Sequence, residues 1–242
     1  MLTIDINCDV GEGIDNEEEL MPYISSCNIA CGAHAGDSST IDRVISVARQ
    51  HRVKVGAHPS FPDRKNFGRK VMRISWDALA ASLIEQIQRM QERLGGEQLH
   101  HIKAHGALYN ASATDHDIAK VLVHAVKKTA ADTILYVPGN SVIEQLALQH
   151  RLNIKYEVFA DRNYQDDLRL VSRTQRNAVI TDKEEVLRHL SRMVIDQRVK
   201  TVSNRLVPIR AETGCVHGDN EAAREIVRYI YQELPRKGVA IA

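Results

Sequence analysis

Apolar runs of strand length recur along this chain, and most of them are followed by a short polar motif rich in His, Asp, Glu or Lys. Helix-like segments, with apolar residues such as Ile41, Val44 and Ile45 at helical spacing, separate most of these runs. The polar motifs are Asn7–Glu12, Cys31–Asp37, Gly56–Pro59, Lys103–Gly106, Ala160–Arg162 and Cys215–Asp219. Strands that alternate with helices pair in parallel through right-handed crossovers, so the chain is constrained to an α/β fold.

Seven main strands favour a distorted seven-stranded β/α barrel over a regular eightfold one. The predicted strands span residues 3–8, 26–31, 53–57, 100–104, 133–137, 154–159 and 212–216. An open doubly wound sheet is the alternative, but it concentrates its polar groups at one switch point. In a barrel, the chemistry lies on the loops at the carboxyl ends of many strands, which matches the motifs.

The remaining segments complete the expected architecture. Helices are predicted over residues 39–52, 75–94, 115–130, 141–150 and 182–199, with one more after Asp219. Asp37, Ser75 and Asp219 are plausible helix N-caps. Residues 201–209 are predicted to form a small hairpin, and residues 162–179 a long loop with short strand pieces. No linker or composition shift divides the chain, so residues 1–242 are interpreted as one domain.

Composition excludes several classes of function. The net charge of +1 and an aromatic fraction of 5% give no basis for binding nucleic acid or an anionic membrane. No apolar stretch approaches the roughly 18 residues of a membrane span, and no secretory signal precedes the first strand. We therefore expect a cytoplasmic protein that acts on a small molecule. Its four cysteines are interpreted as buried thiols, with a catalytic nucleophile as the lesser alternative.

Asp9 and Glu12 follow the first strand and are separated by Gly11. Glycine permits a turn tight enough to bring both carboxylates to the same mouth of the barrel. Asp9 is a candidate general base or metal ligand, and a turn cap is the structural alternative.

Four histidines lie within a few residues of predicted strand ends: His34, His58, His105 and His217. Imidazole and carboxylate are ordinary zinc or manganese ligands, so a bound metal would be held by Asp9, His34, His58 and His105. The spacings are not diagnostic of a metal site, and a polar substrate pocket is favoured over one.

Lys103 and His105 are two residues apart, so they face the same side if the strand continues through them. Lys103 would then neutralise carboxylates or bind an anionic group, and an ion pair with Asp9 is the structural alternative. Asn110, shortly after this strand, could add hydrogen bonds to a substrate.

Arginines in the loops could bind a carboxylate or phosphate through their planar fork. These are Arg64, Arg69, Arg162 and Arg173. Asp161 follows a strand directly, and Asp219 could be either an acid or a helix cap. No phosphate-binding glycine loop is present, so ATP or NAD use cannot be argued from motifs. No Gly-x-Ser-x-Gly elbow is present either, which argues against an α/β-hydrolase.

The motifs resemble those of the LamB/YcsF family, in the family's order and over nearly the whole chain. The matching segments are residues 5–12, 28–37, 56–59, 105–110, 159–164 and 215–219. Three departures from the family's usual pattern are visible. Ala104 replaces the proline of the usual Lys-Pro-His-Gly, and Ser60-Phe61 replaces the usual Gly-Tyr. The segment after Glu12 is also shorter than in many members. No candidate acid, base or histidine is lost through these changes.

The resemblance implies a barrel related to the glycoside hydrolase and deacetylase superfamily. It also implies ATP-dependent hydrolysis of the lactam 5-oxo-L-proline to L-glutamate, with ADP and phosphate as the other products. ATP, with Mg²⁺ expected beside it, would be a co-substrate, and two partner subunits, B and C, would be required.

Within that reaction we assign two sets of candidate residues. The catalytic candidates are Asp9, Glu12, Lys103, His105 and His217; the substrate-binding candidates are His34, His58, Arg69, Asn110, Asp161 and Arg162. Asp9 or Glu12 would position water, His105 and His217 would move protons, and Lys103 with a loop arginine would hold carboxylate or phosphate.

Two competing hypotheses remain open. One is a metal-dependent, deacetylase-like hydrolase that needs neither ATP nor partners. The other is a scaffold or regulator of catalytic subunits. Burying unpaired His, Asp and Lys costs several kcal/mol by rough estimate, which argues against a pure scaffold.

Overall fold

Ten strands form in the structure, a computed structural model that describes residues 2–242. In chain order they are β1 (Leu2–Val10), β2 (Ser26–Ala30), β3 (Lys54–His58), β4 (His101–Ile102), β5 (Ile134–Pro138), β6 (Ile154–Phe159), β7 (Arg198–Lys200), β8 (Leu206–Pro208), β9 (Thr213–Val216) and β10 (Val239–Ile241). Seven of them, β1 to β6 and β9, lie side by side in parallel.

Strand β1 closes this sheet into a barrel. Its residues Asn7–Val10 pair with β2, while Asp5–Cys8 pair with β9, which also pairs with β6. The predicted seven-stranded β/α barrel is therefore confirmed. Strand β10, which the sequence did not predict, pairs in parallel with the first residues of β1.

The interior of the barrel is polar, and β1 shows why. Its apolar residues, such as Ile4 and Ile6, belong to the hydrophobic core, whereas Asp5, Asn7 and Asp9 are bonded to side chains of other barrel strands. Successive side chains of a strand point to opposite faces, so one face of β1 packs on the helical layer and the other lines the barrel. The polar face ends in Asp9 at the carboxyl end of the strand.

Eight helices surround the described strands. They are α1 (Glu17–Leu20), α2 (Ser38–His51), α3 (Trp76–Leu94), α4 (Gly106–Ser112), α5 (His116–Thr129), α6 (Val142–Gln149), α7 (Lys183–Ile195) and α8 (Ala223–Glu233). Asp37 and Ser75 accept backbone N–H groups at the starts of α2 and α3, as predicted. Such caps satisfy donors that have no partner within the helix, and they fix where each helix begins.

Three local predictions need correction. The helix predicted over residues 182–199 ends at Ile195, because Gln197 adopts a left-handed φ of 50° that a helix does not accommodate. The predicted hairpin exists, but it begins at Arg198 rather than residue 201. Asp219 does not cap the last helix, since α8 begins at Ala223 after Ala222. The short helix α4 was not predicted.

The segment from residue 162 to 179 is a long loop with two isolated bridges, as predicted. Arg162 pairs with Val179 and Tyr164 with Leu170, each in antiparallel fashion. Several residues of this loop line the large cavity at the carboxyl ends of the strands. Within residues 2–242, no helix combines the length and the apolar character that crossing a membrane demands.

Replacing Gly56 by alanine should lower the free energy of unfolding by about 1–3 kcal/mol, as overpacking a core does. Gly56 faces His101 across β3 and β4, and an added Cβ would overlap the His101 ring. That ring cannot yield freely, because it stacks on Tyr136 and contacts Asn28. Urea denaturation of the purified chain measures the loss.

Gly139→Ala is the matched control for this prediction. The nearest atom to its added Cβ is Tyr156 Cδ1 at 3.6 Å, an ordinary van der Waals contact. We expect the unfolding midpoint of this control to stay close to that of the wild type. Equal midpoints for Gly56→Ala and the wild type would show that β3 and β4 are not packed as described.

Candidate active site

The predicted site residues converge at the carboxyl ends of the barrel strands. Asp9 lies near the end of β1, His58 ends β3, Lys103 follows β4, and His217 follows β9. His105, two residues after Lys103, keeps an extended backbone and donates its N–H to the carbonyl of Pro59. Lys103 and His105 therefore face the same mouth, as the spacing predicted.

Lys103 joins the buried charges of the site. Its ammonium lies 2.9 Å from Asp9 Oδ1, 3.0 Å from Glu157 Oε1 and 2.9 Å from Cys215 Sγ. An ammonium has three N–H groups, and four acceptor atoms surround this one, with Asn7 Oδ1 at 3.3 Å as the fourth. Burial lowers the pKa of Lys103, but Asp9, Cys215 and Glu157 outweigh burial and hold it well above its usual value. Lys103 thus neutralises carboxylates and has no N–H left for a substrate.

Glu157 belongs to this site, although the sequence reasoning missed it. Its Oε1 forms an ion pair with Lys103 and accepts a hydrogen bond from Asn7 Nδ2 at 3.1 Å. Its Oε2 and the Tyr109 hydroxyl are buried without a hydrogen-bond partner among residues 2–242. Burial raises the pKa of Glu157 despite the neighbouring Lys103. The available signal was a single carboxylate inside the apolar run Tyr156–Phe159.

Asp9 is held from two sides. Asn28 Nδ2 donates to its Oδ1 at 2.8 Å, beside Lys103, while His58 Nε2 lies 3.4 Å from its Oδ2. Burial raises the pKa of Asp9, but His58 and Lys103 outweigh burial and hold it well below its usual range. The pKa of His58 is raised, because the Asp9 carboxylate outweighs the effect of burial. Asp9 is accordingly an ionised group at neutral pH.

Glu12 returns to the site through a turn in which Gly11 has a φ of 72°. Its Oε1 lies 3.1 Å from His34 Nε2 and 3.2 Å from His105 Nδ1. Burial raises the pKa of Glu12, but its contacts with the His105 and His34 imidazoles hold it well below its usual range. Burial lowers the pKa of His34 to about 4, and Ser60 Oγ holds its other nitrogen at 2.9 Å. His34 is therefore a neutral group that orients Glu12.

His217 and Asp161 form a second polar pair across the site. His217 Nδ1 lies 2.9 Å from Asp161 Oδ1, and the His217 backbone N–H donates to Oδ2 at 3.2 Å. Asn220 Nδ2 also donates to Oδ2, and the Phe159 ring stacks on the imidazole. Because a carboxylate accepts, Nδ1 carries the ring proton and Nε2 keeps its lone pair.

Asp161 was predicted to bind substrate, but the structure places it behind His217, where it is fully buried. Burial raises the pKa of Asp161, yet His217 outweighs burial and lowers it. A buried carboxylate on the far nitrogen of an imidazole fixes the tautomer and orientation of the ring. His217 is thus equipped to accept or donate a proton at Nε2.

The rim carries two arginines that share one carboxylate. Arg69 donates to Asp219 Oδ2, and Arg173 Nη1 lies 3.3 Å from the same oxygen. Both side chains are about one-third exposed, so a bound anion can compete with Asp219 for them. Asp219 therefore pairs with arginines at the mouth of the cavity instead of capping a helix.

The other predicted binding residues have different surroundings. Arg162 is buried and donates to the carbonyls of Ala178 and Val171, so its guanidinium holds the long loop in place. Arg64 donates to the carbonyls of Gly32 and Gly36. Asn110 is exposed and lines the cavity, where it is free to contact a ligand.

The side chains of the site line a cavity of about 1010 Å³. Asp9, Glu12, His58, His105 and His217 all line it. The four cysteines are free and buried, as expected, and burial raises the pKa of Cys215 despite the nearby Lys103. A protonated, buried thiol is a poor nucleophile. The functional groups available in the cavity are therefore carboxylates, imidazoles and the arginines at its rim.

Two sets of side chains bring potential metal-ligating atoms within 4.8 Å of one another in the described part of the chain. The first is Asp9, Glu12, His58 and His105; the second is Asp9, Cys215 and His217. The predicted set contained His34 in place of Glu12. His34 instead contacts Glu12 from outside this set, a relation that sequence spacing does not reveal.

Known proteins resemble this chain from end to end. The sequence model of the LamB/YcsF family matches residues 4–242. A protein from Bacillus cereus (strain B4264), named as the A subunit of 5-oxoprolinase, is 39% identical over 249 residues, covering 100% of this chain and 98% of that protein.

Solved structures of other proteins also resemble this chain. The crystal structure of a lactam utilization protein from Thermus thermophilus has a TM-score of 0.92 and 34% identity, and the match covers 99% of each chain. A GH18 chitinase from Pseudoalteromonas aurantia has a TM-score of 0.51 and 9% identity, covering 93% of this chain and 99% of that one. The latter match indicates a shared barrel fold and no more.

Proposed function

Because this chain belongs to the LamB/YcsF family, we propose that it is the A subunit of an ATP-dependent 5-oxoprolinase. In this reaction 5-oxo-L-proline, ATP and water give L-glutamate, ADP and phosphate. The observation that carries the proposal is the 39% identity, over the full length, to a relative named as the A subunit of 5-oxoprolinase. Partner subunits B and C would complete the enzyme, and its use of ATP would place it in the cytoplasm.

The lactam is a stable amide, so its hydrolysis needs activation. In the proposed reaction, the carbonyl oxygen of the lactam attacks the γ-phosphate of ATP, and ADP leaves. One water then adds to the activated carbon, and the ring C–N bond breaks to leave glutamate with its new carboxyl group as an acyl phosphate. A second water hydrolyses this acyl phosphate to the carboxylate and free phosphate. The chain shows no phosphate-binding glycine loop, so we assign the binding of ATP to the assembly as a whole.

The cavity offers groups for the hydrolytic half of this reaction. His217, with Nδ1 fixed by Asp161, can remove a proton from the attacking water at Nε2 and return it to the leaving nitrogen. Asp9 and Glu12, both ionised, can accept hydrogen bonds that position the water. Lys103 keeps this concentration of negative charge stable inside the barrel.

The rim arginines favour an anionic substrate. 5-Oxoproline carries a carboxylate, and the activated intermediate would carry a phosphate as well. Arg69 and Arg173 present two guanidinium groups to the mouth of the cavity. The volume of about 1010 Å³ is at the upper end of small-molecule sites and leaves room beside a small lactam for a phosphorylated ligand.

Reconstitution tests the proposal. Purified subunits B and C would be mixed with 5-oxoproline, ATP and Mg²⁺, with and without this chain, and glutamate and ADP would be measured together. We expect both products only in the complete mixture, in equal amounts. A correctly assembled complex that forms neither product would refute the proposal.

A second candidate, a metal-dependent hydrolase that acts without ATP, is favoured by one observation. Asp9, Glu12, His58 and His105 bring four potential metal ligands together. Omitting ATP and the partners from the assay distinguishes the two candidates. Lactam opening by the chain alone, abolished by a chelator and insensitive to ATP, would support the second.

A further inference from the structure

His58 and His105 meet through nitrogen atoms that both lack a proton in the neutral rings. His58 Nδ1 lies 2.8 Å from the carbonyl oxygen of Lys103, and His105 Nε2 lies 2.9 Å from that of Phe67. Because a carbonyl oxygen only accepts, these two nitrogens carry the ring protons. The remaining atoms, His58 Nε2 and His105 Nδ1, are 3.0 Å apart, so two lone pairs face each other.

Two carboxylate oxygens face the same point. Asp9 Oδ2 lies 3.4 Å from His58 Nε2, and Glu12 Oε1 lies 3.2 Å from His105 Nδ1. Asn28 and Lys103 donate to the other oxygen of Asp9, Oδ1, and so do not serve Oδ2. Four acceptor atoms thus converge on one point, and a single extra proton on one ring would satisfy only one of these contacts.

We propose that Asp9, Glu12, His58 and His105 bind one divalent transition-metal ion, with zinc as the best match to two imidazoles and two carboxylates. Ligands about 2.0–2.2 Å from a tetrahedral zinc lie about 3.3–3.6 Å from each other. The 3.0, 3.2 and 3.4 Å separations between neighbouring atoms of this set approach that spacing. Small adjustments of side chains would suffice to close the site around an ion.

The outer contacts that a metal site requires are already in place. Backbone carbonyls hold the far nitrogen of each imidazole, Asn28 holds Asp9, and His34 holds Glu12. Such partners fix the tautomer and direction of metal ligands. Asp9 and Glu12 bring two carboxylates to the point where the four atoms converge. A divalent cation balances them.

A metal bound here would act as a Lewis acid toward a carbonyl or water in the cavity. All four ligands belong to this chain, and their convergence does not depend on the identity of the substrate. A test of metal binding therefore needs neither partner subunits nor ATP. The two proposals therefore fail independently. A chain that binds no metal would refute the metal site and not the 5-oxoprolinase proposal. A reconstituted complex that forms no product would refute the 5-oxoprolinase proposal and not the metal site.

The first experiment measures metal binding by the isolated chain. Protein stripped with a chelator and dialysed would be titrated with Zn²⁺ by calorimetry, and its metal content would be determined by mass spectrometry. We expect one Zn²⁺ per chain and a raised thermal midpoint, with Mg²⁺ much weaker because it prefers oxygen ligands. Substitution with Co²⁺ is expected to produce the visible absorption of a low-coordinate nitrogen and oxygen site.

Variants then locate the ion. His58→Gln and His105→Gln should each weaken Zn²⁺ binding by at least about 100-fold. His124→Gln is the matched control, since His124 is exposed on α5 and should leave binding unchanged. Circular dichroism would confirm that each variant is folded. The proposal is overturned if the stripped wild type takes up no Zn²⁺, or if both folded site variants bind it as the wild type does.

Discussion

Replacing His217 by glutamine is expected to lower kcat of the assembled enzyme by about 10²–10⁴-fold while the chain stays folded. Glutamine can keep a hydrogen bond to Asp161, but its amide cannot accept a proton from water as the imidazole Nε2 can. The imidazole is placed by three contacts: its Nδ1 and its backbone N–H to Asp161, and the stacked Phe159 ring. Steady-state kinetics of the reconstituted complex measures the effect.

Asp161→Asn extends this prediction to the orienting residue. The amide can turn its NH₂ toward His217 Nδ1, which would shift the ring proton to Nε2 and remove the lone pair from the cavity. We expect a loss in kcat of the same direction, with KM little changed, because Asp161 is buried behind the imidazole. A loss of binding alone would show up in KM instead.

The control for these variants is a histidine outside the site. His124→Gln alters an exposed residue of α5 and should leave kcat and KM unchanged. If folded, assembled His217→Gln retained kcat within about threefold of the wild type, His217 would have no part in proton transfer.

Replacing Lys103 by methionine is expected to cost about 3–5 kcal/mol of unfolding free energy, the range for removing one partner of a buried ion pair. Methionine has a similar length but carries no charge. Asp9 and Glu157 would then lose the ammonium that lies 2.9 and 3.0 Å from their oxygens. Urea denaturation at neutral pH, followed by circular dichroism, measures the loss.

The loss should depend on pH with a definite sign. Without Lys103, the buried carboxylates would bind protons more readily in the folded chain than in the unfolded chain. A folded-state pKa that is raised gives stability at low pH that is lost as pH rises. Lys103→Met should therefore be least stable, relative to the wild type, toward the alkaline end of the range.

Two further variants make this prediction specific. Lys54→Met removes an exposed lysine from β3 and should change stability little, since exposed charges contribute about 0–1 kcal/mol. Adding Glu157→Gln to Lys103→Met removes one unpaired carboxylate and should restore part of the lost stability. A loss below about 1 kcal/mol for Lys103→Met would contradict a buried network centred on this ammonium.

Much of the architecture could be predicted from local patterns. Strands of period two and helices of period 3.6, bounded by caps such as Asp37 and Ser75, identified the elements of the barrel. The polar residues at strand ends then had to share one mouth, since parallel barrel strands all point the same way. A predicted element boundary was wrong where a single backbone torsion decides it, as at Gln197, whose left-handed φ ends the helix early.

The partners of each polar group could not be read from the sequence. Lys103 bonds to Asp9 across 94 positions and to Cys215 across 112, and Asn7 reaches Glu157 across 150. No local spacing encodes such pairs, because barrel closure sets which side chains meet. That is why Glu157 was missed and why Asp161 was assigned to the substrate instead of to His217.

The sequence by itself determined the order of elements and which end of the barrel carries the chemistry, because both follow from the periodicity of the chain. Only the tertiary structure decided which acids are neutralised, which histidines are oriented, and which lone pairs converge. Those properties depend on distances of about 3 Å between segments far apart in the chain, and packing alone sets such distances.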